Sequence, residues 1–216
     1  MGTTEAKPEP PRDPNADAPG VCISIMVSEK PVRLHGNTPG EFLETLSKSN
    51  LSWVNFAVDS LETDGARSAS LLGFSGSLVD AVLSGPFRNY EDRETEFGLR
   101  LPVVRVIGTD VLQLPLLVLV RWGLILTIHE KGKVKRMVRF ARYADTFMRK
   151  IPPDLNMPDK LTVLLTRLLN ENNERNFEGL RYIQEQGDLI SATLLDQSTG
   201  REQVAKQVYD VKHALV

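Results

Sequence analysis

The residues able to do chemistry in this 216-residue chain are few. Three histidines, His35, His129 and His213, and a single cysteine, Cys22, make up the nitrogen and sulfur donors. Thr127-Ile128-His129-Glu130 closes an apolar run, and the end of a buried strand is where sheet enzymes place reacting groups. His129 and Glu130 could therefore form an acid–base couple; the competing reading is a strand-end imidazole donating to a local carbonyl. Gly73-Phe74-Ser75-Gly76-Ser77 resembles a nucleophile elbow only loosely, because it lacks the G-x-S-x-G spacing and follows a helical pattern. There is no glycine-rich phosphate loop, no HExxH and no CxxC. Carboxylates are more prominent. Tyr90 to Glu96 holds four of them around Arg93, the pattern of a solvated edge strand that charge protects from pairing. Asp80 lies among apolar residues on a short helical segment. Carboxylates suit hard cations such as magnesium, and two or more must converge to hold one.

Composition narrows the class. A net charge of −2 and a pI near 6.0 give no support for a nucleic-acid binder. One cysteine excludes an intramolecular disulfide and a cysteine-rich zinc site. Residues 1–20 are rich in proline, alanine and acids with no apolar centre, so they read as a disordered lead and not as a secretory signal. The run Val111 to Ile128 is nearly long enough to span a membrane. Pro115 inside it, Arg121 and the Trp122-Gly123 turn instead predict two buried strands.

These residues must be positioned by the elements around them. Val21 to Val27 and Val32 to Leu34 read as a strand hairpin. Thr38-Pro39-Gly40-Glu41 opens a helix, with Thr38 as N-cap, Pro39 in the first turn and Glu41 closing a capping box. Leu51 to Val58 is a strand with Leu51, Trp53, Asn55 and Ala57 on one face. Helices are expected at Thr63 to Phe74, Ser77 to Ser84 and Lys133 to Lys150, the last stopped by Pro152-Pro153. Tyr90 to Asp92, Leu99 to Ile107 and the two apolar strands complete a sheet. From Met157 to about Leu195 the apolar stripe has helical spacing around a polar centre, Asn170 to Asn176. That helix would be roughly 55 Å long at about 1.5 Å per residue. After a turn at Thr199-Gly200, Val204, Val208, Val211 and Leu215 share one side of a second helical arm. The fold class expected is α/β: an α/β/α sandwich with a mixed sheet over residues 21–153, then a long C-terminal helical hairpin over residues 157–216.

The ordered series Asn89-Tyr90-Glu91-Asp92 to Leu101-Pro102-Val103-Val104, Leu126-Thr127-Ile128-His129, Asp159-Lys160-Leu161-Thr162 to Asn172-Asn173-Glu174-Arg175-Asn176-Phe177, and Val208 to Leu215 resembles the cytoplasmic domain of CorA-type magnesium transporters. The similarity runs from about Val21 to Val216 and is strongest to the archaeal branch. The resemblance implies a cytoplasmic, divalent-cation-sensing regulatory domain at the inner face of the cell membrane. It implies a homopentamer in the full-length protein, with Mg2+, Co2+ or another divalent cation weakly bound. Membrane contact would come only through C-terminal helices beyond a stalk, so the present sequence is expected to stop before the stalk and not to transport. The family's regulatory sites lie between subunits and use acids of the short helix before the charged strand. Asp80 matches that position, and Ala81 stands where some members carry a second acid; Arg167 stands where the hairpin often carries acids. Two other functions are weighed beside it: a soluble α/β enzyme using His129 and Glu130, and a helix-mediated oligomerisation module indifferent to metal.

Overall fold

A computed structural model describes residues 18–84, 90–107, 110–134, 136–195 and 209. Seven strands run β1 Gly20–Met26, β2 Pro31–Gly36, β3 Ser49–Val58, β4 Tyr90–Asp92, β5 Glu96–Ile107, β6 Asp110–Arg121 and β7 Leu124–Glu130. They form one sheet in the order β2-β1-β3-β7-β6-β5-β4, antiparallel throughout except for the parallel pair β3 and β7. The helices are α1 Leu43–Ser47, α2 Leu61–Leu71, α3 Gly76–Ser84, α4 Arg136–Ala141, α5 Ala144–Met148 and α6 Met157–Leu195. The chain has the expected α/β/α arrangement with a mixed sheet and a long C-terminal helix.

The two-residue period of a strand explains the layers. Trp53, Leu116, Val118 and Ile125 face one core with Phe140, Leu161, Leu164 and Leu168 of α4 and α6. Val54, Phe56, Leu117, Leu119 and Leu126 face the other with Leu78, Val79 and Val82 of α3. Central strands covered on both faces read as continuous apolar runs, which is why β6 and β7 resemble a membrane span in sequence. Gly123 in their turn has φ +73°. Among the described residues no helix is long and apolar enough to cross a membrane.

Two helices differ from expectation. The helix expected at Thr63 begins at Leu61, because the Ser60 side chain caps it by accepting from Thr63 N–H at 3.4 Å. It ends at Leu71, short of Phe74: Gly73 takes φ +82°, and Phe74 N–H donates to Ala69 C=O while Gly73 N–H donates to Ser70 C=O. Lys133 to Lys150 is not one helix but two, broken at Arg142 and Tyr143. The break has a packing cause. It lets Phe140 meet Trp53 edge-on at 4.7 Å and Tyr143 at 5.2 Å, while Ala144 and Met148 still enter the core. Arg33 holds the break from β2 by hydrogen bonds to Arg142 C=O at 3.5 Å and to Asp145 at 3.1 Å.

α6 is continuous over 39 residues. Its first half packs on the sandwich through Leu161, Leu164 and Leu168. At Gly179 it still lies close to β5, where an added Cβ would lie 3.4 Å from both Val104 and Val106 side chains. Beyond it the side chains are half-buried or exposed, Leu180 and Leu189 among them. The second arm expected from Thr199 onward, and the lead up to residue 17, lie outside the described residues.

Candidate cation-binding face

α3 packs against β5 through Leu78, Val79 and Val82 and turns Asp80 to solvent. The close seat depends on Gly98 of β5, where a Cβ would lie 2.8 Å from Val82. The Asp80 carboxylate has no hydrogen-bond or ion-pair partner among the described residues; only its carbonyl is engaged, by Ser84 Oγ at 2.5 Å. The acids of the charged edge are partly committed. Glu91 pairs with Arg93 at 3.7 Å, and Glu96 accepts from Ser75 N–H at 2.8 Å. Arg93 in turn donates to Ser75 and Ser77 hydroxyls at 2.8 and 2.9 Å, tying β4 to the start of α3. Among the described residues no three His, Cys, Asp or Glu side chains come together to hold a metal ion. One carboxylate supplies at most two of the six or more oxygens a hard divalent ion takes. A cation at Asp80 would therefore need oxygens from elsewhere.

His129 and Glu130 are not an acid–base couple. His129 Nδ1 donates to the Glu130 backbone carbonyl at 3.1 Å, which leaves Nε2 to accept from the Asn55 amide at 3.2 Å. The Glu130 carboxylate turns away to pair with Lys133 and to accept from Leu61 N–H at 3.4 Å. The parallel register places Asn55 beside Thr127, and the chain of donors continues inward. Thr127 Oγ1 lies 2.9 Å from Asn55 Oδ1 and accepts from Trp53 Nε1 at 3.1 Å. This buried polar line is fully satisfied, and burial holds the His129 pKa below its ordinary value, so the ring is neutral. His129, Asn55, Arg33, Lys131 and Arg142 border a cleft of about 880 Å3 at the carboxyl ends of β3 and β7. Cys22 is buried, with its thiol pushed up to about 11 by desolvation, and is no nucleophile.

A polar network between α4, α6 and β5 was invisible as a site in the sequence. Among the described residues β4 pairs with β5 only at Phe97, Gly98 and Leu99. Asn172 and Asn176 bond to β5 further along. Both amides donate to Pro102 C=O, at 3.1 and 2.9 Å, and Asn176 Oδ1 accepts from Val104 N–H at 2.9 Å. Arg136 completes the set, donating to Asn172 Oδ1 at 2.8 Å, Asn176 Oδ1 at 2.7 Å and Val104 C=O at 2.9 Å. Burial and the nearby Arg175 charge lower the Arg136 pKa to about 10, and it stays protonated. The signal was the polar interruption of the apolar stripe with asparagines at i and i+4. One turn earlier, Tyr143 donates to the buried Glu171 at 2.5 Å, and Arg167 lies 5.6 Å from the Tyr143 ring. Arg167 thus serves the joint between α5 and α6.

No family model and no curated protein matches the chain. Solved structures do. The soluble domain of CorA from Methanocaldococcus jannaschii superposes with a TM-score of 0.61 at 18% identity, covering 91% of this chain and 71% of that one. The complete CorA magnesium transporter from the same organism gives 0.62 at 16% identity; the match covers 91% of this chain but only 56% of the transporter. The ZntB cytoplasmic domain from Vibrio parahaemolyticus RIMD 2210633 gives 0.57 at 14% identity over 89% of this chain and 72% of that one. The sandwich and the long helix that leaves it thus have the fold of the CorA soluble domain.

Proposed function

We propose that this chain is the cytoplasmic, divalent-cation-sensing part of a CorA-like transporter of magnesium or a related ion. The observation that supports it most is the shared fold over 91% of the chain with the soluble domain of CorA. In this reading the ion path lies outside the described residues, and the domain works at the inner face of the membrane in a homopentamer. Asp80 offers an exposed carboxylate, without a partner among the described residues, on a rigidly seated helix, and a carboxylate of a neighbouring subunit completes the site. Facing carboxylates repel when the site is empty and are bridged when Mg2+ or Co2+ fills it. Filling therefore favours the arrangement with subunits held together, through differential affinity for the two arrangements. Ala81 contributes no second acid, so the site is weak. The test is limited proteolysis over a magnesium series, comparing wild type with Asp80→Ala in the full-length protein. Protection that grows with magnesium in wild type and is lost in the variant supports the reading; equal protection in both removes Asp80 from it.

A second reading is favoured by Phe177 and Leu180, which α6 exposes. Large exposed apolar side chains on one projecting helix suit assembly with a partner helix. A plain oligomerisation module would assemble identically with and without magnesium, which sedimentation of wild type in chelator and in magnesium distinguishes.

A further inference from the structure

Between the edge of β5, α4 and the middle of α6 lies a groove of about 310 Å3 whose charged lining is entirely cationic: Arg105, Lys133, Arg136, Arg139 and Arg175. Lys133 is paired with Glu130, and Arg175 with Glu178 at 2.5 Å. Arg136 spends its donors on neutral amide and carbonyl oxygens. Among the described residues the guanidinium groups of Arg105 and Arg139 have no hydrogen bond or ion pair, and no carboxylate lines the groove. Positive charge is thus gathered from three separate segments of chain and left in excess. The repulsion is visible at Arg136, where Arg175 adds to burial in lowering the pKa.

We propose that this groove binds a soluble phosphate-bearing anion of the di- or triphosphate class. Four of the five cations are arginines, whose planar forks match phosphate oxygens two at a time. Several positive charges brought together call for a ligand with several negative ones. The groove is recessed between three elements, which suits a small soluble ligand better than a flat lipid surface. A bound anion joins Arg105 on β5, Arg139 on α4 and Arg175 on α6, and so fastens α6 where it leaves the sandwich. This site is independent of Asp80 and of the cation reading.

The test is isothermal titration of the whole chain with inorganic tripolyphosphate, in divalent-free buffer at constant ionic strength. Two double variants are compared: Arg105→Ala with Arg139→Ala, and Arg67→Ala with Arg181→Ala, which removes the same charge from exposed positions on α2 and distal α6. Circular dichroism checks that both fold. Saturable binding to wild type is expected, weakened about tenfold or more by the groove pair, since two charge-assisted contacts are lost, and unchanged by the control pair. A parallel arm uses vesicles of phosphatidylglycerol and phosphatidylcholine. Absence of saturable binding, equal loss in both pairs, or binding to vesicles without binding to tripolyphosphate would overturn the proposal.

Discussion

Replacing Asn176 by alanine strips the edge of β5. The amide accepts from Val104 N–H at 2.9 Å and from Arg136 at 2.7 Å, and donates to Pro102 C=O at 2.9 Å. Val104 N–H then lacks a protein partner, which costs about 1 kcal/mol if water replaces the amide. Arg136 keeps Asn172 and Val104 C=O, so its loss is partial, roughly 0.5–1 kcal/mol. Pro102 C=O keeps Asn172. The bonds therefore sum to about 2 kcal/mol, offset by about 0.5 kcal/mol of helix propensity that alanine gains over asparagine. Asn170→Ala is the control: it is exposed on the same helix with no partner among the described residues, and gains the propensity alone. Urea unfolding should show Asn176→Ala lower by about 1.5 kcal/mol, a midpoint shift of roughly 0.7 M if m is about 2 kcal/mol/M, with Asn170→Ala unchanged or slightly higher. Hydrogen exchange at Val104 should accelerate in the first variant only. If the two variants unfold at the same urea concentration and Val104 exchanges alike in both, the amides do not substitute for a strand and this account of the polar centre of α6 fails.

Other outcomes follow from the same structure. The His129 pKa is lowered by burial, so between its folded value and about 6.5 the unfolded chain binds more protons, and stability falls as pH drops through that window by up to about 1.4 kcal/mol per pH unit. The difference in urea midpoint between pH 7.5 and pH 5 should therefore be smaller in His129→Gln than in wild type; an equal difference refutes the buried neutral ring. Gly98→Ala drives a Cβ to 2.8 Å from Val82 and should cost about 1–3 kcal/mol in thermal or urea unfolding by overpacking, displacing the helix that carries Asp80. Asp80→Ala should leave stability without added metal within about 0.5 kcal/mol of wild type, because the carboxylate is exposed and has no partner among the described residues; a larger loss means that Asp80 has a structural partner.

The layers were legible wherever period and punctuation agreed. Pro115, Arg121 and Trp122-Gly123 divided an 18-residue apolar run into β6 and β7, and the stripe from Leu161 to Leu169 announced α6. Thr38 and Glu41 were readable as a capping box and form one, with Glu41 accepting from Thr38 N–H at 2.9 Å. What local pattern could not carry was set by distant contacts. The helical period through Arg142 and Tyr143 is unbroken in sequence, and the break accompanies contacts the local pattern does not hold: Phe140 against Trp53, some ninety residues earlier, and Arg33 against Arg142 and Asp145. Asn172 and Asn176 read only as a polar centre because their partners, Pro102 and Val104, lie some seventy residues earlier and are brought to them by the fold. At the candidate site, Asp80 was identified by resemblance and its exposure by amphipathic spacing, but among the described residues no metal-holding cluster forms around it. His129 and Glu130 are adjacent in sequence and diverge in space because successive strand residues point to opposite faces.

Paramagnetic broadening of backbone amide signals by Mn2+, a stand-in for magnesium with the same preference for oxygen ligands, tests the cation reading most directly. In wild type, titration with Mn2+ should broaden the amides of Val79 to Val82 first and saturably, with magnesium competing, and the Asp80→Ala variant should lose that focus while its other signals are unmoved. Broadening centred instead on Glu91 to Glu96, or identical in wild type and Asp80→Ala, would contradict a divalent-cation site built on Asp80.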